Sequence, residues 1–177
     1  MSIQVVQTKL PGVLQIIPQA FEDHRGIYLE TYNREMYTAA GIDMDFVQDD
    51  ISMSYRSVLR GIHGDAETWK LVSCLQGQFY LVVVNNDPAS AHYRKWVSMT
   101  LSESNRMQVL IPPMHGNGHL VLSERAIFHY KQTTYYNPKG QFTLRYDDPQ
   151  LGLWWPCKEP VLSMRDALGR WPDSDGK

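Results

Sequence analysis

Residues 78–84, with the sequence QFYLVVV, are the part of this chain most typical of a core strand. β-Branched and aromatic residues fill the stretch, and such side chains favour the packed surface of a sheet. Turn-forming residues bound it on both sides, with Gly77 before it and NNDP at 85–88 after it. The pattern therefore predicts a core strand that turns sharply at both ends.

Further short apolar stretches lie before and after this strand at the spacing of β-hairpins. They occupy residues 13–18, 26–32, 95–102, 107–112, 119–124, 126–134 and 142–148. A helix is predicted at 34–40, where Gly41 would end it. Many short strands separated by turns are typical of a sandwich or barrel rather than of a parallel sheet with crossover helices. We therefore predict an all-β fold, a double-sheet jelly roll with one or two short helices, and a ligand cavity between its sheets.

Length and charge limit the classes of protein to which this chain can belong. Its 177 residues fit one domain, 1–177, in which we expect 168–177 to be a flexible tail that Trp171 could dock. A net charge of -2 argues against a nucleic-acid partner or a polybasic membrane patch. No apolar run approaches the ~20 residues of a membrane span, and the opening residues lack the layout of a signal peptide. The two cysteines are expected to be free thiols in a reducing compartment, so we predict a cytoplasmic location.

A histidine and two cations stand close together in the sequence around residue 63. His63 and Lys70 flank a short loop between two strand-like stretches, and Arg60 precedes the histidine. A histidine at the end of a strand is often only a structural hydrogen-bonding group. A cation beside core sequence, however, is costly to bury unless it meets an anion. A phosphate or a developing enolate would be a suitable anion, so this cluster is a candidate ligand site.

Two later stretches supply further candidates. Residues 111–119 contain two prolines, two glycines and an asparagine, which predicts a loop rather than a strand. This loop is either a rigid turn between hairpins or a segment whose polar groups face the cavity. In the strand at 126–134, alternation places His129 and Lys131 on one face and Tyr130 on the other. Tyr130 is therefore expected to point inward, where a tyrosine is either part of the core or catalytic.

Eight motifs, in order along the chain, resemble those of the dTDP-4-dehydrorhamnose 3,5-epimerases and of relatives that act on other nucleotide-linked 4-keto sugars. The matching stretches are FEDHRG (21–26), FVQDD (46–50), LRGIH (59–63), KLV (70–72), YK (130–131), YY (135–136), DDP (147–149) with WP (155–156), and LSMRD (162–166). Each motif alone is weak, but eight in this order and at similar spacing make a specific resemblance.

The resemblance implies a cupin-type jelly roll that forms a homodimer. It implies an epimerase that inverts C3, C5 or both in a nucleotide-diphospho-4-keto-6-deoxy sugar, in cell-surface polysaccharide or deoxysugar biosynthesis. The implied catalytic residues are His63 as the base, Asp166 as its orienting partner, Tyr130 as the acid on the opposite face of the sugar, and Lys70 as the group that stabilises the enolate oxygen. A neutral histidine with a carboxylate partner is a base suited to pH 7, so no metal and no cofactor is required.

The resemblance also implies a set of substrate-binding residues. They are Arg25, Glu30, Gln48, Arg60, Asn117, His119, Tyr136 and Arg165. Arg25 would act from the neighbouring subunit, because the N-terminal strand is exchanged in this family.

The chain departs from the family pattern in two loops. His63 is followed by Gly64 and Asp65, where the family has an aromatic residue and a glutamine. In the run MHGNGH at 114–119, Asn117 takes the position of the family's histidine. These loops are similar to those of family members that act on GDP-linked 4-keto heptoses. The substrate is therefore expected to be either a dTDP-linked hexose or a GDP-linked heptose.

Three other functions are compatible with parts of the pattern. The first is a metal-dependent cupin oxygenase, in which His115, His119 and Asp65 would form the metal site. The second is a 3,4-ketoisomerase on the same scaffold, which would move the ketone instead of inverting a carbon. The third is a non-catalytic module that binds sugar nucleotides. The presence of both His63 and Tyr130 argues against such a module, because binding alone requires no base opposite an acid.

Overall fold

The computed structural model describes residues 2–172, in which two main antiparallel sheets pack face to face. The larger sheet has six strands. In spatial order they are β1 (Ile3–Gln7), β2 (Leu14–Pro18), β10 (Gln108–Ile111), β7 (Lys70–Gln76), β12 (Arg125–Gln132) and β5 (Gln48–Tyr55). Each strand runs antiparallel to its neighbours.

The smaller sheet has five strands. In spatial order they are β13 (Phe142–Thr143), β6 (Leu59–Gly64), β11 (His115–Val121), β8 (Gln78–Asn85) and β9 (Trp96–Ser102). A separate two-stranded ribbon consists of β3 (Ala20–Asp23) and β4 (Gly26–Leu29), and the α-helices are α1 (Arg34–Ala39) and α2 (Met164–Leu168). This arrangement confirms the predicted all-β double-sheet jelly roll with short helices.

The main core lies between the two sheets, and β8 is its central element. Phe79, Leu81 and Val83 point from β8 into the cluster shared with the larger sheet. Val82 and Val84 belong to a second cluster, on the other side of the smaller sheet. Both faces of β8 are therefore buried, which explains why its sequence is a continuous apolar run instead of an alternating pattern.

The prediction of a loop at 111–119 is wrong for most of its length, because strand β11 begins at His115. Gly116 and Gly118 lie inside this strand. A Cβ on Gly116 would lie 2.6 Å from Ile62, and one on Gly118 would lie 3.1 Å from the same side chain. These glycines therefore allow β11 to approach β6 closely and do not form a turn.

The strand predicted at 142–148 is limited to the two residues of β13. Leu144 still exchanges backbone hydrogen bonds with Ile62 of β6, but the amide of Asp148 then donates to the carbonyl of Arg145. The chain turns at that point and leaves the sheet. Strands β1 and β5 have exposed residues of mixed type on one face, so neither forms an apolar stretch in the sequence.

The helix predicted at 34–40 is confirmed as α1, which covers part of the outer face of the larger sheet. The side chain of Asn33 caps its first turn, and Gly41 follows its last turn with a φ of 84°. Tyr37 is fully buried and packs in one cluster with Ile16 of β2.

The predicted tail at 168–177 begins inside α2, whose last residue is Leu168. The ring of Trp171 then lies over Arg165, with the guanidinium carbon 4.0 Å from the ring centroid. The remaining part, 173–177, lies outside the described residues. Within the described chain, none of the helices has the length and apolar character needed to cross a membrane.

Candidate active site

One end of the jelly roll contains a cavity of about 700 Å³, a volume typical of small-ligand sites. Strands from both sheets and helix α2 form its wall. Ten of the twelve predicted site residues line it: His63, Tyr130, Asp166, Lys70, Gln48, Arg60, Asn117, His119, Tyr136 and Arg165. The fold thus assembles in one cavity residues that are far apart along the chain, such as His63 and Asp166, which are 103 positions apart.

His63 and Asp166 form a hydrogen-bonded pair in this cavity, a contact that only the family resemblance implied. The distance from His63 Nε2 to Asp166 Oδ1 is 2.6 Å. The carboxylate also accepts hydrogen bonds from the hydroxyl of Ser163, at 2.7 Å, and from the amide of Gly61, at 3.3 Å. Ser163 in turn accepts the amide hydrogen bond of Asp166 at the start of α2. The carboxylate is therefore fixed by the helix terminus as well as by the histidine.

The environment of Asp166 determines which nitrogen of His63 can act as a base. Burial raises the pKa of Asp166, but hydrogen bonds from His63 and Ser163 more than offset this and leave the pKa below its ordinary value. The carboxylate is therefore ionised at neutral pH and accepts a hydrogen bond from a protonated Nε2 of His63. In neutral His63 the lone pair then resides on Nδ1, which receives no hydrogen bond from residues 2–172.

Tyr130 faces the cavity from the opposite sheet. It lies on β12, directly across from Asp50 on β5, while His63 lies on β6. Its neighbour His129 points to the outer face, where it bonds to Ser73, as the alternation predicted. Burial, followed by the charge of Asp50, raises the pKa of Tyr130 to about 12. The phenol therefore keeps its proton at neutral pH and can donate it.

The two cations of the first cluster have different environments. Lys70, at the start of β7, is only 8% exposed, and burial lowers its pKa despite the opposing charge of Asp65. Arg60 is exposed in this single chain, although the residues beside it in β6 are buried, and its Nε donates to Ser54 at 2.8 Å. Lys70 thus places a cation inside the cavity, and Arg60 places one at its rim.

Asn117 and His119 contribute uncharged polar groups from β11. Asn117 lies directly across from His63 in the sheet, and its buried Oδ1 has no hydrogen-bond partner among the described residues. His119 stacks on Phe128, with ring centroids 4.2 Å apart and planes at 10°. Burial, then the charges of Arg60 and His63, lowers the pKa of His119 to about 3. His119 is therefore neutral at physiological pH.

Three residues from separate segments meet at the rim. Gln48 of β5 accepts the amide hydrogen bond of Tyr136 at 2.9 Å and donates to Asp50 at 2.8 Å. Arg165 of α2 donates to Gln141 and Thr143. These contacts hold the segment around Tyr136 against both β5 and α2.

Arg25 and Glu30 do not line the cavity of this chain. Arg25 lies at the tip of the β3–β4 ribbon, where its side chain is 80% exposed and pairs with Asp23 at 2.6 Å. Glu30 follows the ribbon and accepts a hydrogen bond from Asn33 at 3.4 Å. The ribbon pairs with neither main sheet. A role of Arg25 and Glu30 in substrate binding, at the cavity of a second subunit, stays a prediction.

The residues that depart from the family pattern after His63 have structural roles. A Cβ on Gly64 would lie 2.4 Å from the carbonyl oxygen of His115 and equally close to Phe142. Asp65 Oδ1 accepts the amides of Glu67 and Thr68, at 3.0 and 2.7 Å. The change therefore provides close packing between strands and a fixed turn before Lys70.

Several residues of the cavity wall are not among the predicted site residues. They include Asp50, Ser52, Gln141, Ser163 and Trp171. Asp50 and Ser52 follow Gln48 at alternate positions, so strand alternation gives a signal that could have found them. Ser163 stands three positions before Asp166, which is the spacing of a helix capping box. For Trp171 we find no sequence signal.

The three residues considered for a metal site are not assembled into one. His119 lines the cavity, whereas His115 Nδ1 is bonded to the carbonyl oxygen of Pro113, and Asp65 is used in its turn. Among residues 2–172, there is no group of three or more histidine, cysteine or acidic side chains arranged to hold a metal ion.

Comparison with known proteins gives one consistent family. The family model described as dTDP-4-dehydrorhamnose 3,5-epimerase matches residues 7–172. The dTDP-4-dehydrorhamnose 3,5-epimerase of Salmonella typhimurium is 38% identical over 168 residues, covering 92% of each chain, and that of Shigella flexneri is 35% identical over 178 residues, covering 98% of each. The crystal structure of a dTDP-6-deoxy-D-glucose-3,5-epimerase from Legionella pneumophila, in complex with dTDP-4-keto-L-rhamnose, superposes with a TM-score of 0.90. It is 37% identical, and the match covers 95% of this chain and 92% of that one.

Proposed function

Because this chain belongs to the dTDP-4-dehydrorhamnose 3,5-epimerase family, we propose that it inverts C3 and C5 of a dTDP-linked 4-keto-6-deoxy sugar. It is an isomerase of nucleotide-sugar metabolism, in deoxysugar biosynthesis. The dTDP group is favoured over GDP because the similar structure from Legionella pneumophila holds a dTDP-linked keto sugar. The cytoplasmic location belongs to the same proposal, and the unpaired thiols of Cys74 and Cys157 support it.

The pair formed by His63 and Asp166, facing Tyr130 across the cavity, is the observation that carries the proposal. A carbon beside a ketone is weakly acidic, because the carbanion is delocalised onto the oxygen. His63 Nδ1 takes the proton from that carbon, and the electron pair of the C–H bond becomes the C=C bond of an enolate. Asp166 stabilises the imidazolium through the 2.6 Å hydrogen bond. Each positioned proton-transfer group of this kind contributes roughly 10²–10⁴-fold to the rate.

Lys70 is assigned to the oxygen on which negative charge develops. Its ammonium group is almost fully buried, and no carboxylate of residues 2–172 forms an ion pair with it. A buried cation interacts strongly with charge that appears only in the transition state, because little water screens it. The enolate oxygen would supply the missing counter-charge.

Tyr130 is assigned as the acid that completes inversion. His63 and Tyr130 lie on opposite sheets, so the two groups reach opposite faces of a sugar held between them. With a pKa raised to about 12, Tyr130 is protonated at neutral pH and delivers its proton to the enolate carbon. The resulting phenolate and imidazolium return to their starting states by proton exchange with solvent. The same cycle at the second carbon completes the double epimerisation.

Binding of the substrate is assigned to the rest of the cavity wall. Arg60 and Arg165 supply positive charge for the diphosphate, and Gln48, Asn117, His119 and Tyr136 supply polar and ring contacts. Arg25 and Glu30 would join the site of a second copy of the chain in a homodimer. The β3–β4 ribbon supports this part of the proposal, because Phe21, Ile27 and Tyr28 on it are exposed in the single chain.

The experiment that tests the proposal is product analysis by NMR in heavy water. The protein is given dTDP-4-keto-6-deoxyglucose and, separately, a GDP-linked 4-keto sugar. Inversion with one deuterium entering at C3 and one at C5 of the dTDP sugar is the expected result. Turnover of the GDP sugar alone would overturn the assignment of the nucleotide, and deuterium at one carbon alone would overturn the double inversion. No exchange with either substrate would contradict the epimerase proposal for this chain.

A further inference from the structure

Arg165 is a buried cation whose protein partners are all uncharged. It is only 8% exposed, its Nε donates to Thr143 at 2.9 Å, and its Nη1 donates to Gln141 at 3.0 Å. Within residues 2–172 it forms no ion pair, and its Nη2 has no hydrogen-bond partner. The adjacent carboxylate of Asp166 is already bonded to His63 and to Ser163.

This arrangement is costly unless an anion completes it. Burial lowers the pKa of Arg165, and the charges of Tyr136 and Asp166 offset that only in part. A buried guanidinium normally pairs with a carboxylate or a phosphate, which it binds through the edges of its planar group. Arg165 lines the cavity, and its buried Nη2 has no hydrogen-bond partner among the described residues, so an anionic part of the ligand is the group that would complete its environment.

The ring of Trp171 packs on one face of the same guanidinium. After α2 the chain turns back at Gly169, which has a φ of 70° and packs so closely on Arg145 that a Cβ would lie 2.4 Å from Cγ. This turn brings Trp171 over Arg165, with the guanidinium carbon 4.0 Å from the ring centroid. Trp171 and Pro172 also line the cavity. The indole therefore covers one face of the guanidinium at the wall of the cavity.

We propose that Trp171 is a positioning residue, which holds the Arg165 guanidinium in the plane needed to bind the diphosphate of the nucleotide sugar. The inference deepens the proposed function, on which the identity of the anion rests. Two features of the structure favour a diphosphate over a single carboxylate. Arg60 adds a further cation to the same cavity wall, and the cavity is large enough for more than a sugar ring.

The test compares Trp171→Ala and Trp171→Phe with the wild-type protein. Trp154→Phe is the matched control, because Trp154 is 60% exposed, packs on Tyr80 and does not line the cavity. Calorimetry measures the Kd for dTDP and for inorganic pyrophosphate, and steady-state kinetics with the dTDP-linked keto sugar give KM and kcat. Thermal unfolding establishes that each variant is folded.

Trp171→Ala is expected to raise Kd for both ligands and KM by about tenfold, with kcat within about twofold of wild type. Trp171→Phe should restore most of the affinity, because a phenyl ring also attracts a guanidinium. The control should leave Kd and KM unchanged. An unchanged Kd in folded Trp171→Ala would overturn the proposal, and so would a loss of kcat at constant KM.

Binding of pyrophosphate separates this proposal from the proposed function. Suppose that the wild-type protein binds pyrophosphate more tightly than Trp171→Ala does, but exchanges no deuterium with any keto sugar. That result would support the positioning role and contradict the proposed function. The reverse result, full epimerase activity without dependence of binding on Trp171, would overturn the positioning role and keep the proposed function.

Discussion

Replacing Asp166 by asparagine tests the proposed role of the pair that it forms with His63. The carboxylate accepts hydrogen bonds from the Nε2 of His63, the hydroxyl of Ser163 and the amide of Gly61. Asparagine has one acceptor oxygen and one NH₂ donor in place of the two oxygens. If the donor faces His63, the imidazole must carry its proton on Nδ1, and the base is then already protonated. If the donor faces Ser163, the histidine keeps its orientation but loses its ionic partner.

The size of the effect follows from these two arrangements. A hydrogen bond to a charged group contributes about 1.5–3 kcal/mol, and each 1.36 kcal/mol corresponds to a factor of ten in rate. Loss of charge alone therefore lowers kcat by about 10- to 150-fold. Reversal of the tautomer adds to this, so we expect a total loss of about 10²- to 10⁴-fold, in the range for one proton-transfer group.

The assay is kcat at saturating dTDP-4-keto-6-deoxyglucose, together with the rate of deuterium entry at C3 and C5. Asp147→Asn is the control, because Asp147 is also ion-paired, with Arg145 at 2.7 Å, but lies outside the cavity. Folded Asp166→Asn with kcat within threefold of wild type would refute the assigned role of the pair, whatever its geometry.

Three further predictions concern separate parts of the structure. Asn117→Ala should raise KM for the keto sugar by about tenfold, because its Oδ1 has no partner in residues 2–172 and one hydrogen bond to a ligand is worth about 1 kcal/mol or more; an unchanged KM would exclude this contact. Gly116→Ala should lower the free energy of unfolding by about 1–3 kcal/mol, because the new Cβ would lie 2.6 Å from the side chain of Ile62 in β6. Gly140→Ala is the control, since the nearest atom to its Cβ would be 3.5 Å away, and it should change the free energy of unfolding little. Urea titrations measure both. Because burial raises the pKa of Tyr130 to about 12, the folded protein keeps a proton on this phenol that the unfolded chain loses near pH 10. The contribution of Tyr130 to stability is therefore constant below about pH 10 and falls toward pH 12. Tyr130→Phe should make that fall shallower in unfolding curves measured across this range, and an equal slope would contradict the raised pKa.

Local sequence patterns were sufficient where one residue type has one common use. The apolar run of β8, the alternation along β12 and the caps of α1 all correspond to the observed elements. The glycines of β11 were misread, because glycine serves both turns and close strand packing. Only the position of Ile62 on a neighbouring strand distinguishes the two uses.

The site depended on contacts that no local pattern contains. Asp166 lies 103 positions from His63 on a five-residue helix, too short for a periodic signal, and only the family resemblance suggested the pair. The same resemblance named Arg25 and Glu30, neither of which lines the cavity of its own chain. The sequence indicated Trp171 only as a residue that could dock the tail, because its place in the cavity wall depends on how the chain turns after α2.

Deuterium exchange in two single variants tests the account most directly. Wild type, His63→Asn and Tyr130→Phe are each incubated with dTDP-4-keto-6-deoxyglucose in heavy water, and NMR follows exchange and configuration at C3 and C5. If His63 is the base and Tyr130 the acid, His63→Asn should show no exchange, and Tyr130→Phe should exchange protons while inverting at least about 10²-fold more slowly. Exchange at the wild-type rate in His63→Asn, or inversion at the wild-type rate in Tyr130→Phe, would contradict the account.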